Sequence, residues 1–206
     1  MKQKKKMIAI LVVVCILLTT VGGVLWRFRN STCIKATKKE HMGRVYHFQQ
    51  GDEEWATDKL GDSKYTMESS GCLVTCIASA ISSEMTDGKI TPGELNALFS
   101  ENNVYDAEGN IQWEEIDKIR GYSVKVYDTV SGDEIEKCLE KGHYPIVRVR
   151  MHGLGNFHYV LIAGARGGDY ICMDPLNPRE LTKLSEYMNR VYAMRCVWNA
   201  WEEKEE

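Results

Sequence analysis

The chain has 206 residues, of which 44% are hydrophobic and 27% charged, with 17 Gly and only 4 Pro. This composition excludes collagen-like, low-complexity and wholly disordered proteins. From residue 45 onward the chain carries 16 Lys and Arg against 28 Asp and Glu. Such an acidic body disfavours nucleic-acid binding, and the sequence contains no phosphate-binding loop, metal motif or dinucleotide fingerprint. We therefore expect no nucleic-acid partner and no cofactor.

An apolar segment near the amino terminus is typical of a membrane anchor. Four Lys lie within the first six residues, and 20 uncharged, mostly apolar residues follow at 7–26. A helix of that length spans about 30 Å, the thickness of the hydrocarbon core of a bilayer. The Trp-Arg-Phe-Arg run at 26–29 suits an interfacial position. We predict a basic cytoplasmic tail over 1–6 and an uncleaved transmembrane anchor over 7–26; a cleaved signal peptide, which usually has a shorter apolar core, is the alternative.

Positive charge on both sides of this segment leaves its orientation undecided by the positive-inside rule. Residues 27–44 add six basic residues against Glu40 alone, and these flanks suit anionic lipid headgroups. Long domains translocate regardless of flanking charge, whereas a short lysine-rich tail is easily retained. We therefore expect the body of the protein to lie outside the cytoplasm, held at the cell membrane.

The remaining chain divides by composition. Residues 27–43 are polar and basic without an apolar period, which predicts a linker. A single domain is expected over 44–199, followed by an acidic tail over 200–206.

Helices are predicted in the first half of this domain. Apolar residues at helical spacing over 71–83 indicate a helix buried on one face, with Ser69 and Ser70 as caps. Thr91 and Glu94 form a capping box for a second helix. Three further signals are the apolar residues Trp113, Ile116 and Ile119, a capping box at Ser131 and Glu134, and a helix stop at Gly142.

Strand patterns dominate the second half. Alternating or continuous apolar runs at strand length predict strands over 145–150, 158–164, 170–173 and 191–198, with a shorter candidate at 124–127. Helices followed by strands indicate an α+β domain with an antiparallel sheet.

Seven Cys are too few for a disulfide scaffold in a domain of this size, and none forms a zinc-ligand pair. Most are simply explained as small hydrophobic residues. One disulfide, between Cys172 and Cys196, is possible.

Cys72 differs from the other cysteines because it directly follows Gly71 at a predicted helix start. The positive end of a helix dipole stabilises a thiolate there, although a buried structural Cys is the alternative. His158 opens a predicted strand, and Asp174 ends the next one. A base and an acid at these places on neighbouring antiparallel strands can lie side by side, so Asp174 could orient an imidazole that pairs with Cys72. Taken singly, His158 is also explained as a core histidine and Asp174 as a turn residue.

Two features near the start of the domain add to this arrangement. A Gln side-chain N–H at Gln50 and the backbone N–H of Cys72 could together hold an oxyanion, and Gln49 is the adjacent alternative. Among the other histidines, His143 is expected to be solvent-exposed, while His152 lies in a loop from which it could touch substrate.

The ordered segments FQQGDEEWATDKLG, SSGCLVTCIASAIS, TPGELNALF, YPIVRVR and FHYVLIAGARGGDYICMDP cover nearly all of residues 48–175. Together they resemble the papain-like cysteine peptidases related to the bacteriocin-processing double-glycine peptidases. The resemblance implies a papain-like fold with Cys72 as nucleophile, His158 as general base and acid, Asp174 as its orienting carboxylate and Gln50 as oxyanion donor. It also implies a peptide or protein substrate.

The sequence departs from this family's pattern in three ways. Leu73 follows the nucleophile where a small residue is often found, and Cys76 lies one helical turn after Cys72. After the anchor, the chain holds one domain without a transporter, so an export-coupled role is not expected. The functional expectation is a membrane-anchored cysteine peptidase, with an inactive peptide-binding module and a cell-wall peptidoglycan amidase or endopeptidase as alternatives.

Overall fold

The structure is a computed structural model that describes residues 2–37, 41–177 and 181–200. The chain divides into two compact units, one ending at Ser31 and the other beginning at Thr32. The first unit is built on helix α1, Lys2–Arg27. Its segment Gln3–Arg27 is long and apolar enough to cross a membrane, as the sequence predicts.

The second unit mixes helices with an antiparallel sheet, which confirms the predicted α+β class. Its helices are α2 (Met67–Ser70), α3 (Cys72–Glu84), α4 (Pro92–Glu101), α5 (Trp113–Ile116) and α6 (Gly132–Glu140). Its strands are β1 (Thr32–Cys33), β2 (His41–Met42), β3 (Tyr122–Tyr127), β4 (Ile146–Arg150), β5 (Phe157–Arg166), β6 (Asp169–Met173), β7 (Thr182–Lys183), β8 (Arg190–Val191) and β9 (Ala193–Asn199). Two short 3₁₀ turns cover Met151–Gly153 and Leu184–Tyr187.

Within the described residues, seven strands form one sheet in the order β3-β9-β4-β5-β6-β7, with β2 paired to the far end of β5. All the pairings are antiparallel. Hydrophobic cores fill both faces of this sheet. One core joins α3 to side chains such as Ile146 and Leu161, and the other joins α6 to Val147 and Val160. Because successive residues of a strand point to opposite faces, β4 and β5 serve both cores.

Helix α3 is the central helix of the first core. Every residue from 74 to 82 is buried, including Thr75, Ser79 and Ser82. This helix is therefore covered on almost all sides rather than on the single predicted face, as expected of a helix that is mostly apolar all round. The predicted caps at Ser69 and Ser70 are wrong, because these two residues form the end of the separate short helix α2.

The structure contains the predicted cap residues of α4 and α6, but the third predicted helix is shorter than expected. The capping box at Thr91 and Glu94 is confirmed, with Glu94 Oε2 accepting from the Thr91 N–H at 2.8 Å. Ser131 caps α6 by accepting from the Glu134 N–H at 3.2 Å. The third helix is a single turn, Trp113–Ile116, and Ile119 lies beyond its end.

The segment predicted as a linker over 27–43 contributes two short strands to the second unit. β1 pairs with β8, and β2 pairs with β5. Ile34 between them is buried in the second core. Polar composition therefore does not prevent this segment from pairing with β8 and β5. Residues 38–40 of this segment and residues 201–206 of the predicted acidic tail lie outside the described residues.

Cys138 and Cys196 form a disulfide that joins α6 to β9. Cys196 is therefore not paired with Cys172, the pairing that the sequence left possible. Cys172 is a free thiol buried completely in β6, and burial raises its pKa. Sequence patterns place each of these residues in its element, but only the folded sheet brings α6 and β9 together.

Candidate active site

Cys72 is the first residue of the 13-residue helix α3 and lies on the wall of a cleft of about 580 Å³. Its side chain is partly exposed, whereas residues 74–82 of the same helix are buried. The first turn of a helix offers unpaired N–H groups and the positive end of the dipole. A thiol in this position is accessible to a ligand that enters the cleft.

His158 and Asp174 are held together by the sheet. His158 is the second residue of β5, and Asp174 directly follows the neighbouring strand β6. His158 Nε2 lies 2.7 Å from Asp174 Oδ1, and both residues are buried. A carboxylate can only accept, so Nε2 carries the proton and Nδ1 is the ring nitrogen left for another partner. The predicted side-by-side arrangement of base and acid is thus present.

The Asp174 carboxylate accepts two further hydrogen bonds that fix its position. Oδ1 also accepts from the Leu176 N–H at 2.8 Å, which is the expected contact of a turn residue. Oδ2 accepts from the Tyr187 hydroxyl at 2.5 Å. Tyr187 lies in the 3₁₀ turn after β7 and was not singled out from the sequence, because nothing local marks a buried tyrosine as a partner of a distant carboxylate.

The charges of this group follow from burial and hydrogen bonding. Burial lowers the pKa of His158, but the hydrogen bond to Asp174 and the interaction with Cys72 outweigh it and raise the pKa to about 9. Burial acts to raise the pKa of Asp174, yet hydrogen bonds from His158, Tyr187 and Leu176 hold it below its usual value. At neutral pH the structure therefore supports an imidazolium between a carboxylate and Cys72.

Gln50 lies next to these residues, although its contacts are to the backbone. Its N–H donates to the Pro175 carbonyl at 3.1 Å, and its side-chain Nε2 donates to the Glu68 carbonyl at 2.7 Å. Its Oε1 is buried without a hydrogen-bond partner in the described residues. An amide nitrogen has two hydrogens, so Nε2 retains one donor after binding Glu68, and the oxyanion role of Gln50 stays a prediction. Gln49 instead accepts from the Trp55 indole N–H at 2.8 Å through its carbonyl.

The residues after Cys72 occupy different environments. Leu73 lines the cleft beside Cys72. Cys76 is completely buried, and its thiol donates to the Tyr159 carbonyl at 3.5 Å. Burial and the neighbouring Cys72 raise the pKa of Cys76 well above its usual value. Cys76 is therefore a neutral thiol packed in the core, whereas Cys72 faces the cleft.

Gly71 is explained by the tight junction between α2 and α3. A Cβ atom at this position would lie 2.5 Å from the Met67 carbonyl oxygen and 2.8 Å from the Met67 Cα. Backbone atoms cannot move aside as a flexible side chain can, so any larger residue must displace the start of α3. Glycine here allows the chain to place Cys72 on the wall of the cleft.

Gly71→Ala is expected to slow alkylation of Cys72 by iodoacetamide by at least about tenfold and to lower the free energy of unfolding by about 1–3 kcal/mol. Rate constants from mass spectrometry and urea unfolding of the full-length protein in detergent test this. Gly132→Ala at the first residue of α6 is the matched control, because its added Cβ meets nothing closer than 3.8 Å. Equal behaviour of the two variants would contradict the role given to the junction.

The two spare histidines lie elsewhere. His152 is exposed in the 3₁₀ turn after β4, with a left-handed φ of 49°, and is not among the described residues that line the cleft. The expectation that His143 is solvent-exposed is wrong. His143 Nδ1 lies 3.2 Å from Glu84 Oε1, and its ring stacks on Trp198 with 5.0 Å between centroids.

Within residues 2–37, 41–177 and 181–200, no three His, Cys, Asp or Glu side chains are grouped so as to hold a metal ion. Comparisons of the chain with protein-family models, with curated proteins and with solved structures found no match.

Proposed function

We propose that this protein is a cysteine hydrolase that cleaves a peptide or related amide bond, with a papain-like arrangement of helix and sheet. The observation that carries the proposal is the buried Asp174–His158 hydrogen bond of 2.7 Å beside a partly exposed Cys72 at a helix start. A thiol, an imidazole and an orienting carboxylate in this order are the components of nucleophilic catalysis.

The reaction follows from the charge state of these groups. An imidazolium at His158 favours the thiolate of Cys72, whose sulfur attacks the carbonyl carbon of the amide. Collapse of the tetrahedral intermediate breaks the C–N bond and forms a thioester, while His158 gives its proton to the leaving amine. His158 then takes a proton from water, whose oxygen attacks the thioester and releases the carboxylic acid and Cys72.

The oxyanion of the tetrahedral intermediate needs hydrogen-bond donors. The backbone N–H of Cys72 and the second amide hydrogen of Gln50 are the proposed donors. Asp174 fixes the ring so that Nδ1 faces Cys72 and stabilises the imidazolium.

The location of the reaction is part of this proposal. Helix α1 anchors the protein in the cell membrane, and the catalytic domain lies on the extracytoplasmic side. The Cys138–Cys196 disulfide supports this placement, because disulfides persist in oxidising compartments and are rare in the cytosol. Substrates on this side include secreted peptides and the peptides of the cell wall.

Thiol alkylation tests whether the site is active. The full-length protein in detergent is treated with iodoacetamide at pH 7.5, and each cysteine is followed by mass spectrometry. Cys72 is expected to react at least about tenfold faster than the exposed Cys33, whereas the buried Cys76 stays unmodified. His158→Ala is expected to remove the advantage of Cys72.

The alternative of a peptide-binding module without activity predicts a different result. In that case Cys72 reacts no faster than Cys33, or its rate is the same in the His158→Ala protein. Incubation of the wild-type protein with peptide libraries and with purified peptidoglycan then separates a peptidase from a cell-wall amidase or endopeptidase. The Cys72→Ala protein is the control for both substrates.

A further inference from the structure

Two arginines line the same cleft as Cys72. Arg148 lies on β4 and Arg195 on β9, and these strands are paired with Arg195 opposite Ile146 and Arg148 opposite Ala193. Since Arg148 and Ile146 are two residues apart on one strand, both arginines project from the same face of the sheet.

Neither arginine has an anionic partner in the part of the chain that the structure describes. The Arg195 guanidinium donates to the Met194 carbonyl at 2.7 Å, but no carboxylate lies within ion-pair distance of Arg148 or Arg195 among residues 2–37, 41–177 and 181–200. The Nε atoms of both are buried without a hydrogen-bond acceptor there. Leaving such donors unsatisfied is unfavourable, particularly on a charged group.

Aromatic rings hold the two guanidinium groups in place, although their Nε donors lack acceptors. The Arg148 guanidinium lies 4.4 Å from the centroid of the Phe157 ring, and that of Arg195 lies 5.2 Å from the centroid of Trp113. Burial and the neighbouring Arg148 lower the pKa of Arg195, so the two cations repel each other. An anion between them would relieve that repulsion and accept from the unsatisfied donors.

Tyr159 links this pair to the nucleophile. It lines the cleft, opposite Arg148 in the β4–β5 pairing. Burial raises the pKa of Tyr159, both arginines act to lower it, and Cys72 acts to raise it. The hydroxyl is thus within electrostatic reach of both arginines and of Cys72. Glu108, the acidic residue that lines the cleft, is exposed and bound to neither arginine.

We propose that the cleft beside Cys72 binds a carboxylate of the substrate between Arg148 and Arg195, so that the amide to be cleaved lies close to an acidic group. A planar carboxylate matches the fork of N–H donors on each guanidinium. This inference rests on the proposed function for its reference to a cleaved amide. The carboxylate can come from an acidic side chain or from a free carboxyl terminus.

Two alkylating reagents that differ only in a carboxylate test the cleft. Iodoacetate carries the carboxylate and iodoacetamide does not, and the ratio of their rate constants at Cys72 is measured on the full-length protein in detergent. Arg148→Gln and Arg195→Gln are each expected to lower this ratio by about tenfold. Arg166→Gln, an exposed arginine at the end of β5, is the matched control and is expected to leave the ratio unchanged.

The iodoacetamide rate also reports whether each variant has folded, because a disrupted site would slow both reagents. A variant that slows both is replaced by Arg148→Lys or Arg195→Lys, which keeps the charge but not the fork and is expected to lower the ratio less than Gln does. Unchanged ratios in both arginine positions overturn the inference.

Peptide binding to the Cys72→Ala protein identifies the source of the carboxylate. Short acetylated peptides are titrated by calorimetry in matched forms, with Glu or Gln and with a free or amidated carboxyl terminus. One of the two carboxylate forms is expected to bind at least about tenfold more tightly than its neutral match, and to lose this advantage in the arginine variants. If wild-type Cys72 reacts with neither reagent, the proposed function fails, and the titration alone decides: equal affinities for all four peptides overturn the inference.

Discussion

Asp174→Ala is expected to slow alkylation of Cys72 at pH 7.5 by about tenfold, close to the effect of His158→Ala. Without the carboxylate the buried ring of His158 loses the hydrogen bond that raises its pKa to about 9, while burial still acts to lower that pKa, so less of the ring is imidazolium at pH 7.5. The free energy of unfolding is expected to fall by about 3 kcal/mol, because His158, Leu176 and Tyr187 all lose an acceptor. Iodoacetamide rates and urea unfolding measure the two effects.

Two milder variants separate the site role of Asp174 from its turn role. Asp174→Asn keeps an oxygen that can accept from His158 or Leu176, so we expect most of the stability and a rate between those of wild type and Asp174→Ala. Tyr187→Phe removes one hydroxyl and is expected to cost about 1 kcal/mol. Asp128→Ala, at an exposed acid after β3, is the control. A folded Asp174→Ala protein with the wild-type rate would exclude Asp174 from the site.

The stability of the domain is expected to fall by up to about 3 kcal/mol as the pH rises from 6.5 to 9. His158 binds its proton more tightly in the folded protein, where its pKa is about 9, than at its ordinary value of 6.5. Its contribution is therefore complete below pH 6.5 and lost as the pH rises through 9. The lowered pKa of Asp174 has the opposite effect, since its contribution is complete above its ordinary value of 3.8 and lost in stronger acid. Maximum stability is expected between pH 3.8 and pH 6.5, where both contributions are complete.

Urea unfolding of the full-length protein at a series of pH values measures this profile. His158→Gln is expected to flatten the profile between pH 6.5 and 9. His143→Gln is the matched control, because His143 is also paired with a carboxylate but lies outside the site; we expect it to keep the wild-type slope. A slope that survives in His158→Gln would show that another group titrates.

Local patterns account for the parts of this fold that local interactions determine. The capping box at Thr91, the apolar spacing of α3 and the alternation in β4 each depend on residues a few positions apart, and all could be predicted. His158 and Asp174 could also be paired from sequence, because they lie at facing ends of two consecutive antiparallel strands.

The features that could not be predicted depend on contacts between distant segments. The side chain of Tyr187 reaches Asp174 from beyond β7, and β1 pairs with β8 at the other end of the chain. The alternation Arg148-Val149-Arg150 predicts a strand with a charged face, but not that this face borders the cleft of Cys72. Only the position of β9 next to β4 brings Arg195 to the same place.

The group around Cys72 is assembled from opposite ends of the domain. Cys72 is made early in synthesis, whereas His158, Asp174 and Tyr187 follow in the last part of the chain. Contacts between distant segments form late, because closing a long loop costs entropy before the contact repays it. In a growing chain, Cys72 therefore lacks the neighbouring imidazole of His158 until β5 has been made and paired, and Asp174 lacks its last partner until Tyr187 has been added. The complete group around Cys72 thus forms only when synthesis of the domain is almost finished.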